Sequence, residues 1–202
     1  MTLGNNLFSR IYFMVVLKKM SFLLILIFSL DSFGGSKAKN LFSSLLKKNN
    51  FVMIRHSIAP GMGDPGHFKL RDCKTQRNLS EEGRRQSVKI GKLFKSHKIE
   101  KPFLYSSQWC RCLDTARLFK LGKVKELLFL NSFFSNFKKE DYYISSLKKW
   151  LIKNRGKRPL VLVTHQVTIT GLTDYFPSSG EMVFVNIDSQ NKFKVYGTLQ
   201  TR

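Results

Sequence analysis

From residue 50 onward, short apolar runs alternate with polar segments rich in turn residues. The runs Phe51–Ile54, Pro102–Tyr105 and Leu160–Thr164 have the length of buried strands and are bounded by turn signals. Two later runs, Met182–Ile187 and Lys192–Leu199, are separated by a four-residue turn and are predicted to pair as closing strands.

Helical periodicity appears between these runs. Ile90, Leu93 and Phe94 follow the helix cap Ser80 at a spacing that forms one apolar stripe. Strands that alternate with helices favour a three-layer α/β/α sandwich around a largely parallel, mixed sheet. The other helices are expected at residues 39–50, 109–120, 140–154 and 167–175, and one more strand at 124–130.

Candidate chemistry follows two of the predicted strands. Arg55 and His56 end the first run, and His165 ends the run that starts at Leu160. Ligands bind at the carboxyl edge of open α/β sheets, so we expect these side chains to meet there. A nitrogen nucleophile beside a guanidinium suits phosphoryl transfer, because the guanidinium grips the phosphate oxygens.

Four motifs in order resemble the histidine phosphatase superfamily, also called the phosphoglycerate mutase-like superfamily. The resemblance extends from about residue 50 to the end and implies a minimal α/β/α core without a large cap domain. The motifs are Arg55-His56-Ser57, Leu79-Ser80-Glu81-Glu82-Gly83, Ser106-Ser107 with Arg111, Thr115 and Ala116, and Thr164-His165.

The resemblance also implies the catalytic roles. His56 is the nucleophile that forms a phosphohistidine, and Arg55, Arg111 and His165 surround the phosphoryl oxygens. Ser57 replaces the usual glycine after the nucleophile. No cofactor and no metal are implied. The residues expected to contact the substrate are Ser57, Asp64, Ser107 and Gln166.

The resemblance does not identify the general acid that protonates the leaving group. Gln166 stands where acid phosphatases of the family carry an aspartate, and Asn131 and Ser132 stand where mutase-like members carry a glutamate. Two carboxyl groups remain as candidates, Asp64 and Glu181. Glu181 is favoured, because the late strand it opens runs antiparallel in this superfamily and would start at the active-site edge.

The first 38 residues read as a secretory signal peptide. Lys18 and Lys19 precede an apolar core of about ten residues, which is too short to span a bilayer. Small residues at 36 and 38 allow cleavage, and Met20 is a possible start. An uncleaved membrane-tethering segment is the alternative. Residues 39–202 then form the catalytic domain of a periplasmic or otherwise exported protein.

Charge and cysteine content limit the partners. The net charge of +22 attracts anions, but no basic run interleaved with aromatics predicts nucleic-acid binding. A phosphorylated small molecule or envelope sugar is expected as substrate, and contact with an anionic membrane surface stays open. Three cysteines allow one disulfide; Cys73 with Cys110 is the expected pair, although whether they pair is left open.

These observations lead to an exported phosphomonoesterase that acts on a phosphorylated sugar or other small phosphate ester. The details of residues 73–80 and 164–170 look most like exported bacterial lipopolysaccharide core heptose phosphate phosphatases. A phosphohistidine protein phosphatase is the rival enzyme, because its leaving nitrogen needs different protonation. A non-catalytic module that binds anionic ligands or the envelope is the rival outside enzymes.

Overall fold

Six strands form one mixed sheet in the computed structural model, which describes residues 35–201. Their spatial order is β3-β2-β4-β1-β5-β6. The strands are β1 (Asn50–Arg55), β2 (Phe103–Ser106), β3 (Val124–Glu126), β4 (Leu160–Thr164), β5 (Met182–Ile187) and β6 (Phe193–Leu199).

Strand direction brings the predicted site residues to one edge. β1, β2, β3 and β4 are mutually parallel, so their carboxyl ends share that edge. β5 runs antiparallel to β1, with Met182 opposite Ile54, and therefore begins at the same edge. The largely parallel mixed sheet expected from the sequence is confirmed, and so is the antiparallel late strand.

Within the described residues, five helices cover the two faces of the sheet. Residues 35–44 are helical (α1), and the remaining helices are α2 (Glu81–Ser96), α3 (Cys110–Leu118), α4 (Glu140–Asn154) and α5 (Gln166–Thr173). Alternate residues of each strand point to opposite faces, which produces two apolar cores. Phe94 of α2 belongs to one core, and Leu147 of α4 and Ile169 of α5 belong to the other.

The start of α2 is pressed against the chain that follows the Arg-His strand. Ser80 caps this helix, and its hydroxyl accepts a hydrogen bond from the Gly83 amide at 3.0 Å. A Cβ at Gly83 would lie 2.0 Å from the carbonyl oxygen of Ile58, so only glycine permits this approach. The helix start thereby supports the segment next to His56.

Two element boundaries differ from the expectation. The third strand stops at Glu126 instead of residue 130, and Leu128–Leu130 form a single 3-10 turn. This turn buries Leu130 in the second core and carries Asn131 to the active-site edge, which an extended strand would not do. The helix expected over 39–50 ends at residue 44.

The predicted signal peptide, residues 1–38, lies outside the described residues except for its last four. Its cleavage and the export of the chain therefore stay predictions. Within residues 35–201, no helix has the length and apolar character needed to cross a bilayer.

Candidate active site

His56 follows β1 directly and is held as a single tautomer. Its ring Nδ1 lies 2.8 Å from the carbonyl oxygen of Ser57. A carbonyl can only accept, so Nδ1 carries the proton and Nε2 carries the lone pair. Burial, and then the positive charge of Arg111, hold the pKa of His56 well below its ordinary value. The imidazole is neutral, and its Nε2 can act as a nucleophile.

His165, at the end of β4, has its tautomer set by a different network. A guanidinium nitrogen of Arg111 lies 3.4 Å from the Nδ1 atom and can only donate to it. The proton is therefore on Nε2, which donates to the Ser107 hydroxyl at 2.8 Å, and that hydroxyl donates to Asn131 at 3.1 Å. Burial first, and then Arg111 and His56, lower the pKa of His165. The two imidazole centroids are 5.6 Å apart.

Arg111 is held in place by Asp64, which comes from the long loop after β1. The guanidinium donates to both carboxylate oxygens, at 2.7 and 3.2 Å, and its side chain is only 4% exposed. The indole nitrogen of Trp109 and the amide of Arg77 also donate to this carboxylate. Arg111 Nε is buried without a hydrogen-bond partner among the described residues, so it remains available to a phosphoryl oxygen.

Arg77 joins Arg55 and Arg111 as a third guanidinium near the histidines. Its side chain donates to the carbonyl oxygens of Gly63, at 2.8 Å, and of Ala59. Its charge contributes to the lowered pKa values of both site histidines. The sequence reasoning did not single out Arg77, although it lies two residues before the Leu-Ser-x-x-Gly motif.

Arg55 is positioned by the loop that precedes β5. Its Nη1 donates to the carbonyl oxygen of Pro177 at 2.9 Å, and its backbone amide donates to the carbonyl oxygen of Glu181 at 3.3 Å. The predicted cluster of Arg55, His56, Arg111 and His165 therefore lies together at the carboxyl edge of the sheet.

Ser57 fits behind the nucleophile. It is fully buried, and its hydroxyl accepts from the Ser87 hydroxyl of α2 at 2.8 Å. Its amide donates to Thr115, whose hydroxyl donates to the carbonyl oxygen of Arg111 at 2.7 Å. Ser57 thus ties the nucleophile to α2 and α3. Its hydroxyl is bonded to α2, which counts against the predicted substrate contact.

The other predicted contact residues have different environments. Ser107 is hydrogen-bonded to His165 and Asp64 to Arg111, so both hold another side chain of the site in place. Gln166 is the first residue of α5, is partly exposed, and donates from its amide to Thr170 at 2.9 Å. Of these three, Gln166 retains a partly exposed side chain at the edge of the site.

Neither candidate general acid has a free carboxyl group. Glu181 is 1% exposed; it accepts from the Tyr175 hydroxyl at 2.6 Å and from the Ser178 amide at 2.8 Å. Burial alone would raise the pKa of Asp64, but hydrogen bonding and charge from Arg111 outweigh it, so that pKa is lowered. These environments count against proton donation by either residue, and the assignment of Glu181 as the acid stays a prediction.

The disulfide between Cys73 and Cys110 is present, which confirms the expected pair. It links the long loop after β1 to the first residue of α3, the helix that carries Arg111. Cys112 is the free thiol and lies 3.5 Å from Nε2 of His165. Burial raises the pKa of Cys112 to about 12, so the thiol is neutral at physiological pH.

Together these groups can bind and attack a phosphoryl group. Three guanidiniums supply charge-assisted donors for anionic oxygens, and His56 supplies a neutral nitrogen nucleophile. The model for the histidine phosphatase superfamily (branch 1) matches residues 68–129, which include Arg77 and Arg111. The match covers about a third of the chain, and it shows that this segment resembles the superfamily.

Solved structures support the fold. The protein histidine phosphatase SixA, complexed with tungstate, is 14% identical with a TM-score of 0.55, and the match covers 75% of this chain and 97% of SixA. A phosphoserine phosphatase mutant from Entamoeba histolytica, in complex with phosphoserine, is 15% identical with a TM-score of 0.56, covering 76% and 98%. No curated protein matches the sequence significantly.

A third similar structure is a mycobacterial glucosyl-3-phosphoglycerate phosphatase, at 15% identity and a TM-score of 0.55. The match covers 73% of this chain and 96% of that one. The matched fold therefore accounts for nearly the whole length of each of these three proteins. At such identities the likeness establishes a shared fold.

Proposed function

We propose that this chain hydrolyses phosphorylated substrates through a phosphohistidine at His56. The observation that carries the proposal is the hydrogen bond from Nδ1 to the Ser57 carbonyl, which directs the lone pair to Nε2. Nε2 attacks phosphorus, and the bond to the leaving group breaks with its electron pair. Water then attacks the phosphohistidine, which releases phosphate and restores the imidazole.

The variant His56→Ala tests this mechanism. We expect turnover of an aryl phosphate to disappear and the acid-labile, alkali-stable phosphoenzyme seen after rapid quenching to be absent. His97→Gln is the matched control, because His97 caps the far end of α2. Tight vanadate binding by the wild-type chain without any turnover would instead identify a non-catalytic module that binds anionic ligands.

For the physiological substrate, we propose a small phosphate ester, such as a phosphorylated envelope sugar, outside the cytoplasm. The net charge of +22 and the leader-like residues 1–38 support this proposal. Similar structures include phosphatases of phosphoserine and of glucosyl-3-phosphoglycerate. A lipopolysaccharide core heptose phosphate is the first candidate, and the basic surface favours contact with an anionic membrane.

Two measurements test these finer points. A screen of sugar phosphates and envelope sugars should yield at least one ester with a kcat/KM far above that of an aryl phosphate. Expression with the leader should produce a chain shortened near Ala38 outside the cytoplasm. The intact amino terminus in the cytosolic fraction would contradict export.

A second substrate class, the phosphoramidates, is favoured because both candidate acids have carboxyl groups that are already hydrogen-bonded within the protein. Asp64 is paired with Arg111, and Glu181 is bonded to Tyr175 and Ser178. An alkoxide leaving group needs a proton from an acid, whereas a leaving imidazole can be protonated from solvent. The similar fold of SixA, a protein histidine phosphatase, fits this class. Faster turnover of a phosphohistidine protein than of any sugar phosphate would establish it.

A further inference from the structure

Three loops at the active-site edge expose large apolar side chains. Within residues 35–201, nine large apolar side chains are exposed, and four of them lie in these loops. They are Met62, Phe134, Phe137 and Phe176, exposed by 86, 43, 57 and 69%, and we call them the apolar rim. Their loops precede α2, α4 and β5, and each loop lies at the carboxyl edge of the sheet.

One side of the apolar rim lies next to the Arg111 ion pair. The Phe134 ring approaches to 4.0 Å from the position of a Cβ on Gly63. The Gly63 carbonyl accepts from Arg77 at 2.8 Å, and the next residue, Asp64, binds Arg111. Phe134 is therefore one residue away from the carboxylate that positions a phosphate-binding guanidinium.

The other side of the apolar rim lies next to Arg55. Phe176 directly precedes Pro177, whose carbonyl oxygen accepts from Arg55 Nη1 at 2.9 Å. The Phe134 loop belongs to the β3 side of the sheet and the Phe176 loop to the β5 side, with β1 between them. Loops with exposed apolar residues thus lie on both sides of β1, the strand that ends in Arg55.

Two residues of the apolar rim pack against neighbouring rings, but this packing does not explain why their side chains remain exposed. The Phe137 ring lies 6.0 Å from the buried Phe133 ring and 6.1 Å from the Phe134 ring. Both Phe134 and Phe137 nevertheless keep over 40% of their surface in solvent. Scattered exposed apolar residues are ordinary, whereas a group of them around a charged site indicates a binding surface.

We propose that the apolar rim binds an apolar group attached to the substrate phosphate, so that the substrate class is an amphiphilic phosphate. This inference rests on the proposed function, because the same site must hold the phosphoryl group. The guanidiniums bind the anionic head, and Phe134 and Phe176 cover the first carbons of the attached chain. A free amphiphile and a phosphorylated lipid in a bilayer share this chemistry.

Binding of n-alkylphosphonates from ethyl to octyl, measured by calorimetry, tests the proposal without turnover, because the P–C bond is not cleaved. A methylene that becomes fully buried tightens binding about fourfold. The rim side chains stay half-exposed, so we expect at least about a tenfold fall in Kd over six added methylenes. An equal Kd across the wild-type series would overturn the proposal.

Substitutions in the apolar rim test whether its side chains cause the dependence of Kd on chain length. Phe134→Ser combined with Phe176→Ser should remove the dependence of Kd on chain length. Phe103→Ser is the matched control: Phe103 is also 43% exposed, but it lies at the opposite edge, where β2 begins. A double variant that keeps the wild-type chain-length dependence would contradict the role of these side chains.

The source of the amphiphile is resolved by sedimentation with vesicles. Stronger binding to vesicles that contain phosphatidic acid than to equally charged phosphatidylglycerol vesicles would indicate a membrane-embedded phosphate; equal binding would indicate a free amphiphile. Failure of the proposed function looks different. In that case an aryl phosphate would not be turned over, while the phosphonate affinities would still increase with chain length.

Discussion

Asp64→Asn separates two roles for the carboxyl group, positioning of Arg111 and donation of a proton. In the structure the carboxylate accepts four hydrogen bonds, two on each oxygen. Asparagine retains one oxygen, but its amide nitrogen then faces two donors. These are either the Trp109 indole and Arg111 Nη2, or the Arg77 amide and Arg111 Nη1.

The expected cost follows from burial and from the number of bonds. The Arg111 side chain is 4% exposed and that of Asp64 is 16% exposed, so the lost bonds are not replaced freely by water. Two lost charge-assisted bonds and an uncompensated guanidinium should lower the free energy of unfolding by about 3 kcal/mol. A displaced phosphate-binding donor should lower kcat/KM by about 10² to 10³.

Activity is measured as kcat/KM for a series of aryl phosphates whose leaving groups span a range of pKa values. Stability is measured by urea unfolding. If Asp64 positions Arg111, the loss in kcat/KM is the same for every leaving group. The pKa of Asp64 is lowered, so its contribution to stability is complete above about pH 3.8 and is lost as the pH falls through the folded-state value. A loss that grows steeply with leaving-group pKa would refute this reasoning and identify Asp64 as the general acid.

Three further predictions concern the histidines, the disulfide and Glu181. Burial lowers the pKa of His56 and His165 below 6.5, so below that pH only the unfolded chain takes up these protons. Urea unfolding should show stability falling by up to about 2.7 kcal/mol per pH unit below 6.5. Cys73→Ser should cost about 4 kcal/mol in the same assay, because the bond to Cys110 closes a 37-residue separation. Glu181→Gln should lower stability by about 1 to 3 kcal/mol and should reduce activity equally for aryl and alkyl phosphates.

Each of these predictions has a contradicting result. Stability that stays constant between pH 7 and 5 would mean that the histidines titrate normally. Equal stability of the Cys73→Ser chain and the oxidised wild type would remove any structural role for the bond to Cys110. A Glu181→Gln variant that processes aryl phosphates normally but loses alkyl phosphates would restore Glu181 as the proton donor.

The sequence alone determined the order of elements and the four central site residues. Apolar runs that end in Arg55-His56 and in Thr164-His165 mark strand ends, and parallel strands bring such ends to one edge. The Ser80 cap is a local feature with a local cause, and it appears in the structure as expected. The periodicity of apolar residues and the residues that follow each strand depend on neighbours in the sequence, so both can be predicted from the sequence.

Only the tertiary structure decided which partners the other polar side chains of the site bind. Asp64 and Glu181 are both candidate acids in the sequence, with Glu181 favoured, but the structure pairs Asp64 with Arg111 and bonds Glu181 to Tyr175. Arg77 becomes a site residue because the long loop after β1 folds back beside Arg111. Such partners are distant in sequence or lie in irregular segments, where neither periodicity nor spacing specifies a side chain's contacts, so the packed fold had to decide them.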